Sequence, residues 1–127
     1  MNTKYLMIAS SLLLGAIGIL LTFLPHEISA AIKLIDTDPI VLQLVGALYF
    51  GFAMLNWTAK DNLIGGIYGR PITIGNMTHF IVAGLALVKF AFRNSSPLMW
   101  AIAIFYAIFA ISFGYIFTHH PDKAGKS

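Results

Sequence analysis

The chain has 127 residues, of which 58% are hydrophobic and 10% charged, with a formal net charge of +3. A soluble domain carries about 45–50% apolar residues and about 25% charged ones, so the composition argues against a soluble enzyme and against disorder. The sequence contains no cysteine, which excludes disulfide bonds, dithiol chemistry and thiolate metal sites. Its basic residues form no stripe that could bind nucleic acid. These features indicate an integral membrane protein.

Four uncharged segments predict four membrane spans. A helix needs about 20 mostly apolar residues to cross the hydrocarbon once, and each segment is long enough to do so. Pro39, Pro71 and Pro97 open three of the segments, where a missing N–H removes no helical hydrogen bond. Pro25 closes the first segment and Pro121 follows the last. We therefore predict membrane-spanning helices over about 4–24, 39–59, 71–92 and 97–118.

The short connections predict how these helices are arranged. Neighbouring spans should pack antiparallel, which gives an all-α, up-down-up-down four-helix transmembrane bundle, a single domain over 1–127. The longest connection places Ile28, Ile32 and Ile35 at helical spacing beside charged residues. We expect a short amphipathic helix there, at about 26–35, on the outer surface of the membrane. More Lys and Arg residues fall in the predicted inner segments, which favours cytoplasmic termini in the cell inner membrane.

Small residues follow one face of each of the first two spans. Such residues let helix backbones approach closely where lipid supplies no hydrophobic drive for association. The strips are Ser11, Gly15, Gly18 and Thr22, and then Gly46, Ala47 and Gly51. We expect Gly15 and Gly18 to be closely approached by another helix. The strips either pack inside the bundle or form the face of a homodimer.

Polar side chains occur at similar depth in the predicted spans. The candidate ligand-binding residues are Asn56, Asn76, His79, Ser112 and Tyr115. Polar groups in hydrocarbon need partners, so these side chains should face the interior of the bundle. We expect His79 to be neutral and to bond to one of the other four. The set either holds the spans in register or lines a cavity that orients the polar end of an apolar ligand.

A glycine-rich loop precedes the third predicted span. It lacks the preceding strand and the lysine of a phosphate-binding P-loop. Tyr68 and Arg70 are candidate ligands for a lipid headgroup, because a helix N-terminus attracts anions and arginine binds phosphate through two hydrogen bonds. The alternative is a glycine turn at the membrane surface. At the other end of this span, Lys89 and Arg93 are expected to extend toward the surface.

The chain combines a proline after the first span, an acidic outer loop and a glycine-containing second span that ends near Trp and Ala. The residues concerned are Pro25, Asp36, Asp38, Gly46, Gly51, Trp57 and Ala59. This pattern resembles a broad group of uncharacterised small four-span bacterial membrane proteins, a resemblance that implies no activity. In size and span number the chain is also similar to small multidrug transporters, but no predicted span holds the carboxylate which their mechanism needs.

These observations favour a small non-catalytic membrane protein that binds a lipid, another hydrophobic ligand or a membrane partner protein. The alternative is a small oligomeric transporter or channel with a polar path near His79. A membrane enzyme or cofactor carrier is a third hypothesis. We predict no catalytic residue, no metal ligand, no cofactor and no nucleic-acid partner. Membrane lipids are the expected partners, together with a second copy of the chain or another membrane protein.

Overall fold

The computed structural model describes residues 2–34, 36–62, 69–94 and 96–119, and these residues form helices and connections without a strand. The five helices are α1 (Thr3–Phe23), α2 (Pro25–Ala31), α3 (Pro39–Ala59), α4 (Arg70–Asn94) and α5 (Pro97–Thr118). All except α2 are long and apolar enough to cross a membrane. The all-α class and the four candidate spans are confirmed, with each end within two residues of the predicted position. A multi-pass membrane protein is therefore indicated.

Polar side chains cap the N-termini of two of the long helices. The Asn2 side chain accepts a hydrogen bond from the Lys4 N–H, and the Asp38 side chain accepts one from the Ile40 N–H, each at 3.0 Å. Each bond satisfies one of the backbone donors that have no partner within the first helical turn. Ser96 holds the same position before α5 but makes no side-chain cap bond. In α5 the first helical position is held by Pro97, whose fixed φ angle suits the first turn of a helix.

The short helix α2 ends at Ala31, so the predicted helix over 26–35 is too long. Lys33 has a left-handed backbone, with φ 58°. Its N–H bonds to the Ala30 carbonyl, and the Leu34 N–H bonds to the Ser29 carbonyl. These two bonds form a Schellman motif, which ends a helix at a left-handed residue. The predicted apolar residue Ile35 lies outside the described residues.

Residues 1–61 form one compact unit, built on an antiparallel pair of α1 and α3. At one end the Lys4 ammonium lies 2.7 Å from the Asp61 carboxylate. At the other end the Gln43 side chain donates to the Thr22 carbonyl. The hydrogen bond from Lys4 holds the pKa of the Asp61 carboxyl below its usual value. Both groups are exposed, so this ion pair adds little stability.

The two helices of this unit approach most closely at Gly18 and Gly46. A Cβ added at Gly18 would lie 2.8 Å from the Gly46 carbonyl oxygen and 2.8 Å from the Phe50 amide nitrogen. The predicted close approach is thus confirmed for Gly18. A Cβ at Gly15 would make an ordinary 3.5 Å contact, and one at Gly51 would meet nothing within 4 Å. The strip on α1 therefore packs against α3 within the unit.

The second unit lies within residues 62–127 and is built on an antiparallel pair of α4 and α5. The Arg70 guanidinium lies over the Phe117 ring at one end, and Phe92 contacts Trp100 at the other. The core between them is aromatic. The ring of Phe80, which is fully buried, lies 4.9 Å from that of Tyr106, 4.9 Å from that of Phe109 and 5.7 Å from that of Phe113, measured between centroids.

Serine and threonine hydroxyls in the long helices bond mainly within their own helix. Seven of them donate to a carbonyl three or four residues earlier, a common arrangement in membrane helices. The donors are Ser10, Ser11, Thr22, Thr58, Thr73, Ser112 and Thr118. Throughout the described ranges, every buried side-chain nitrogen or oxygen has a hydrogen-bond partner. The spans thus carry polar atoms without burying any that is unsatisfied.

Candidate functional site

Asn56, the candidate residue on α3, is fully buried in the first unit. Its Nδ2 donates to the Ser10 hydroxyl on α1 at 3.0 Å. The Ser10 hydroxyl in turn donates to the Met7 carbonyl, also at 3.0 Å. The bond between Asn56 and Ser10 joins the two helices of the unit. It is the kind of contact expected if the polar residues hold the spans in register.

Two candidate residues lie on α4 in the second unit. Asn76 is fully buried, and its Nδ2 donates to the Ile72 carbonyl one turn earlier. His79 is half-buried, and a hydrogen bond of 3.0 Å joins its Nε2 to the Tyr106 hydroxyl on α5. The two rings also lie in contact, with 5.4 Å between centroids. His79 therefore bonds across the helix pair, as a polar side chain at this depth requires.

The two candidate residues on α5 have other contacts. The Ser112 hydroxyl donates to the Ile108 carbonyl of its own helix. Tyr115 is 49% exposed and stacks on His119, with 4.1 Å between ring centroids. The histidine partner that the structure provides on α5 is Tyr106, which sequence reasoning did not name. Tyr106 lies on the buried face of α5, three residues after the buried Ala103. This helical spacing of apolar residues was the only sequence signal that placed Tyr106 on the inner face.

The candidate headgroup ligands lie at the start of α4. Arg70 is exposed, and its guanidinium carbon lies 5.7 Å from the centroid of the Phe117 ring. A cation over an aromatic face is attracted by the ring's electrons, which gives this side chain a partner inside its own unit. Tyr68 lies outside the described residues. A headgroup site at Tyr68 and Arg70 stays a prediction.

An apolar groove runs between α4 and α5, open along one side, with a volume of about 220 Å³. Its lining residues are Phe80, Ile81, Gly84, Leu85, Val88, Ala103, Ala107, Ala110 and Ile111. Small residues from both helices line the space: Gly84 on α4, and alanines that recur every three or four residues on α5. No lining side chain carries a polar atom. Sequence reasoning missed the groove, although the alanine spacing was visible.

On α4 the groove lies nearer the Asn94 end than the Arg70 end. Phe80 is ten residues from Arg70, or about 15 Å along the helix. Val88 is six residues from Asn94, or about 9 Å. Just beyond it, the rings of Phe92 and Trp100 meet edge to face with centroids 4.9 Å apart. On α5 the lining runs from Ala103 to Ile111, about 9 Å from Pro97 and about 10 Å from Thr118. The aromatic pair lies beside the groove at the Asn94 end of α4.

Metal binding and similarity to known proteins add no further assignment. Within the described ranges, no group of three or more His, Asp or Glu side chains could hold a metal ion. No family model matches the chain, and neither the curated proteins nor the solved structures contain a match.

Proposed function

We propose that the protein is a non-catalytic, multi-pass protein of the cell inner membrane that binds a lipid hydrocarbon chain in the groove between α4 and α5. The observation that carries this proposal is an apolar groove between two candidate membrane spans, with no polar atom in its lining side chains. Pockets for drug-sized ligands measure about 300–1,000 Å³. This groove is smaller, which suits one flexible chain better than a bulky ring system.

Binding would rest on close packing. Lipid tails are as apolar as the lining, so a chain gains little from the hydrophobic effect when it leaves the bulk bilayer. It gains dispersion contacts where Gly84 and the alanines of α5 let it lie close to both backbones. Filling the floor of the groove should therefore abolish binding even if the new side chain is apolar.

The orientation and assembly of the spans belong to the same proposal. The excess of Lys and Arg in the predicted inner segments supports cytoplasmic termini, with the spans in an up-down-up-down bundle. The Asn94 end of α4 would then face the outer surface. Membrane lipids are the proposed partners. A homodimer or a second membrane protein is the alternative occupant of the groove.

Quenching of Trp100 fluorescence tests the groove directly. The chain has two tryptophans, so Trp57→Phe leaves Trp100 as the only one, one turn from Ala103 at the end of the groove. Lipids with acyl chains brominated near the carbonyl should quench it in a saturable manner, and unlabelled lipid should reverse the effect. Ala107→Phe, added to this variant, should remove the saturable component because its ring fills the groove.

Ala101→Phe is the matched control, since Ala101 is exposed on the same helix and does not line the groove. It adds the same ring to α5, and saturable quenching should persist. Equal quenching in the Ala107→Phe and Ala101→Phe variants would mean that Trp100 senses only bulk lipid, which would contradict the proposal.

A polar path near His79 is the second candidate function, favoured by the hydrogen bond between His79 and Tyr106. A double-mutant cycle with His79→Phe and Tyr106→Phe measures how much this hydrogen bond contributes to stability. We expect a coupling energy of about 0.6 kcal/mol, and at most about 1.7, as for other hydrogen bonds between membrane helices. Thermal unfolding in detergent measures it, with Tyr115→Phe as an exposed control. Ion flux into proteoliposomes that His79→Phe abolishes without loss of stability would instead establish the path.

A further inference from the structure

We propose that the groove binds an anionic phospholipid, with the phosphate held by Lys89 and Arg93 at the end of α4. This inference rests on the proposed function, because it assigns the headgroup of the lipid whose chain occupies the groove. It places the headgroup site at the opposite end of α4 from Tyr68 and Arg70, the site that the sequence suggested.

The first support is the position of the two cations. Lys89 lies four residues after Leu85, which lines the groove, and Arg93 lies four residues after Lys89. Residues four apart are neighbours on a helix surface, so both cations continue the Leu85 edge of the groove toward the end of the span. Both side chains are exposed. A phosphate bound by these cations would place the lipid's acyl chain at the Val88 end of the groove.

The second support is that these cations have no acidic partner in the part of the chain that the structure describes. The ion pairs found there involve Lys4, Lys60 and Asp61 only. A charged side chain within a membrane span must reach the interface or meet an opposite charge. A lipid phosphate supplies such a charge, and arginine can bind it through two hydrogen bonds.

The third support is the aromatic pair beside them. Trp and Tyr concentrate at the membrane–water interface, at the level of the headgroups. Trp100 lies one turn before Ala103 of the groove and contacts Phe92, the residue before Arg93. The groove's other end is lined by Phe80 and Ile111, with about 15 Å of α4 between Phe80 and Arg70. The Lys89 end therefore lets one lipid place its chain in the groove and its phosphate beside two cations and an interfacial aromatic ring.

The experiment uses the Trp57→Phe chain in phosphatidylcholine vesicles, titrated with brominated phosphatidylglycerol or brominated phosphatidylcholine. We expect half-maximal quenching of Trp100 at an about five- to tenfold lower mole fraction of phosphatidylglycerol, in keeping with the attraction of juxtamembrane cations to anionic lipid. Lys89→Gln with Arg93→Gln should remove this preference while both lipids still quench. Lys60→Gln with Arg70→Gln removes the same charge elsewhere and should keep the preference.

Each other outcome has a distinct meaning. If both lipids quench the Trp57→Phe chain equally and saturably while Lys89 and Arg93 are intact, the preference for an anionic headgroup is wrong and the binding of an acyl chain still stands. Loss of the preference in the Lys60 and Arg70 variant would overturn the assignment to Lys89 and Arg93. Absence of saturable quenching by either lipid would overturn chain binding as well. A dimer that Ala107→Phe dissociates would identify a second copy as the occupant, which also overturns both proposals.

Discussion

Replacing Gly18 with alanine is expected to destabilise the pair of α1 and α3 by about 1–3 kcal/mol, the usual range for overpacking. The added methyl group would lie 2.8 Å from backbone atoms of both Gly46 and Phe50. Backbone atoms of a helix cannot rotate away as a side chain can, so the two helices must separate. Separation also weakens the dispersion contacts on which helix association in lipid depends. Thermal unfolding in detergent, followed by circular dichroism, measures the loss.

Two glycines of the same unit provide controls. Alanine at Gly15 would make an ordinary contact with Ala53, and alanine at Gly51 would meet nothing within 4 Å. Alanine favours a helix over glycine by about 0.5–1 kcal/mol, so both variants should be as stable as the parent or slightly more so. If Gly18→Ala matched them, the close approach between the helices would be wrong.

Replacing Phe80 with alanine is expected to have the largest effect in the second unit. Phe80 is fully buried, and its ring contacts Tyr106, Phe109 and Phe113. In soluble cores, Phe→Ala costs about 3–5 kcal/mol, part of which is lost transfer from water. Inside a bilayer the surroundings are already apolar, so only the packing part remains. We therefore expect a loss of about 1–3 kcal/mol by the scale of those cores.

Phe105→Ala is the matched control on α5, because Phe105 is 52% exposed. It removes the same atoms from a surface that lipid can refill, so its effect on unfolding in detergent should be small. A loss of stability in Phe105→Ala equal to that in Phe80→Ala would show that the aromatic cluster does not form the core of this unit. Phe80 also lines the groove, so its removal should widen the space for a lipid chain.

The ends of the long helices could be read from the sequence because charge and proline are local signals. An ionised side chain is expensive in hydrocarbon, and proline lacks the N–H that a helix interior requires. The end of α2 could not be read in this way. The left-handed residue at its end is Lys33, whereas glycine or asparagine usually holds that position. No residue type in the sequence therefore marks the end of this helix.

The contacts between helices were only partly predictable. Polarity alone showed that His79 and Asn56 need partners, but not that Tyr106 and Ser10 provide them. That choice depends on the register of two helices and on the length of the partner side chain. Gly18 was predicted as a contact because small residues recur on its face. The groove escaped prediction, since a space is defined by what facing helices leave unfilled, and no single residue marks it.

The internal hydroxyl bonds of the long helices have a consequence for biogenesis. A serine or threonine that already donates to its own backbone enters a bilayer with that hydroxyl satisfied, so each span can leave the insertion machinery before its neighbour arrives. The bonds from Asn56 to Ser10 and between His79 and Tyr106 form only once two helices meet. For a chain that spans the membrane, insertion would thus be completed helix by helix, and these two bonds would form in the later step of lateral pairing.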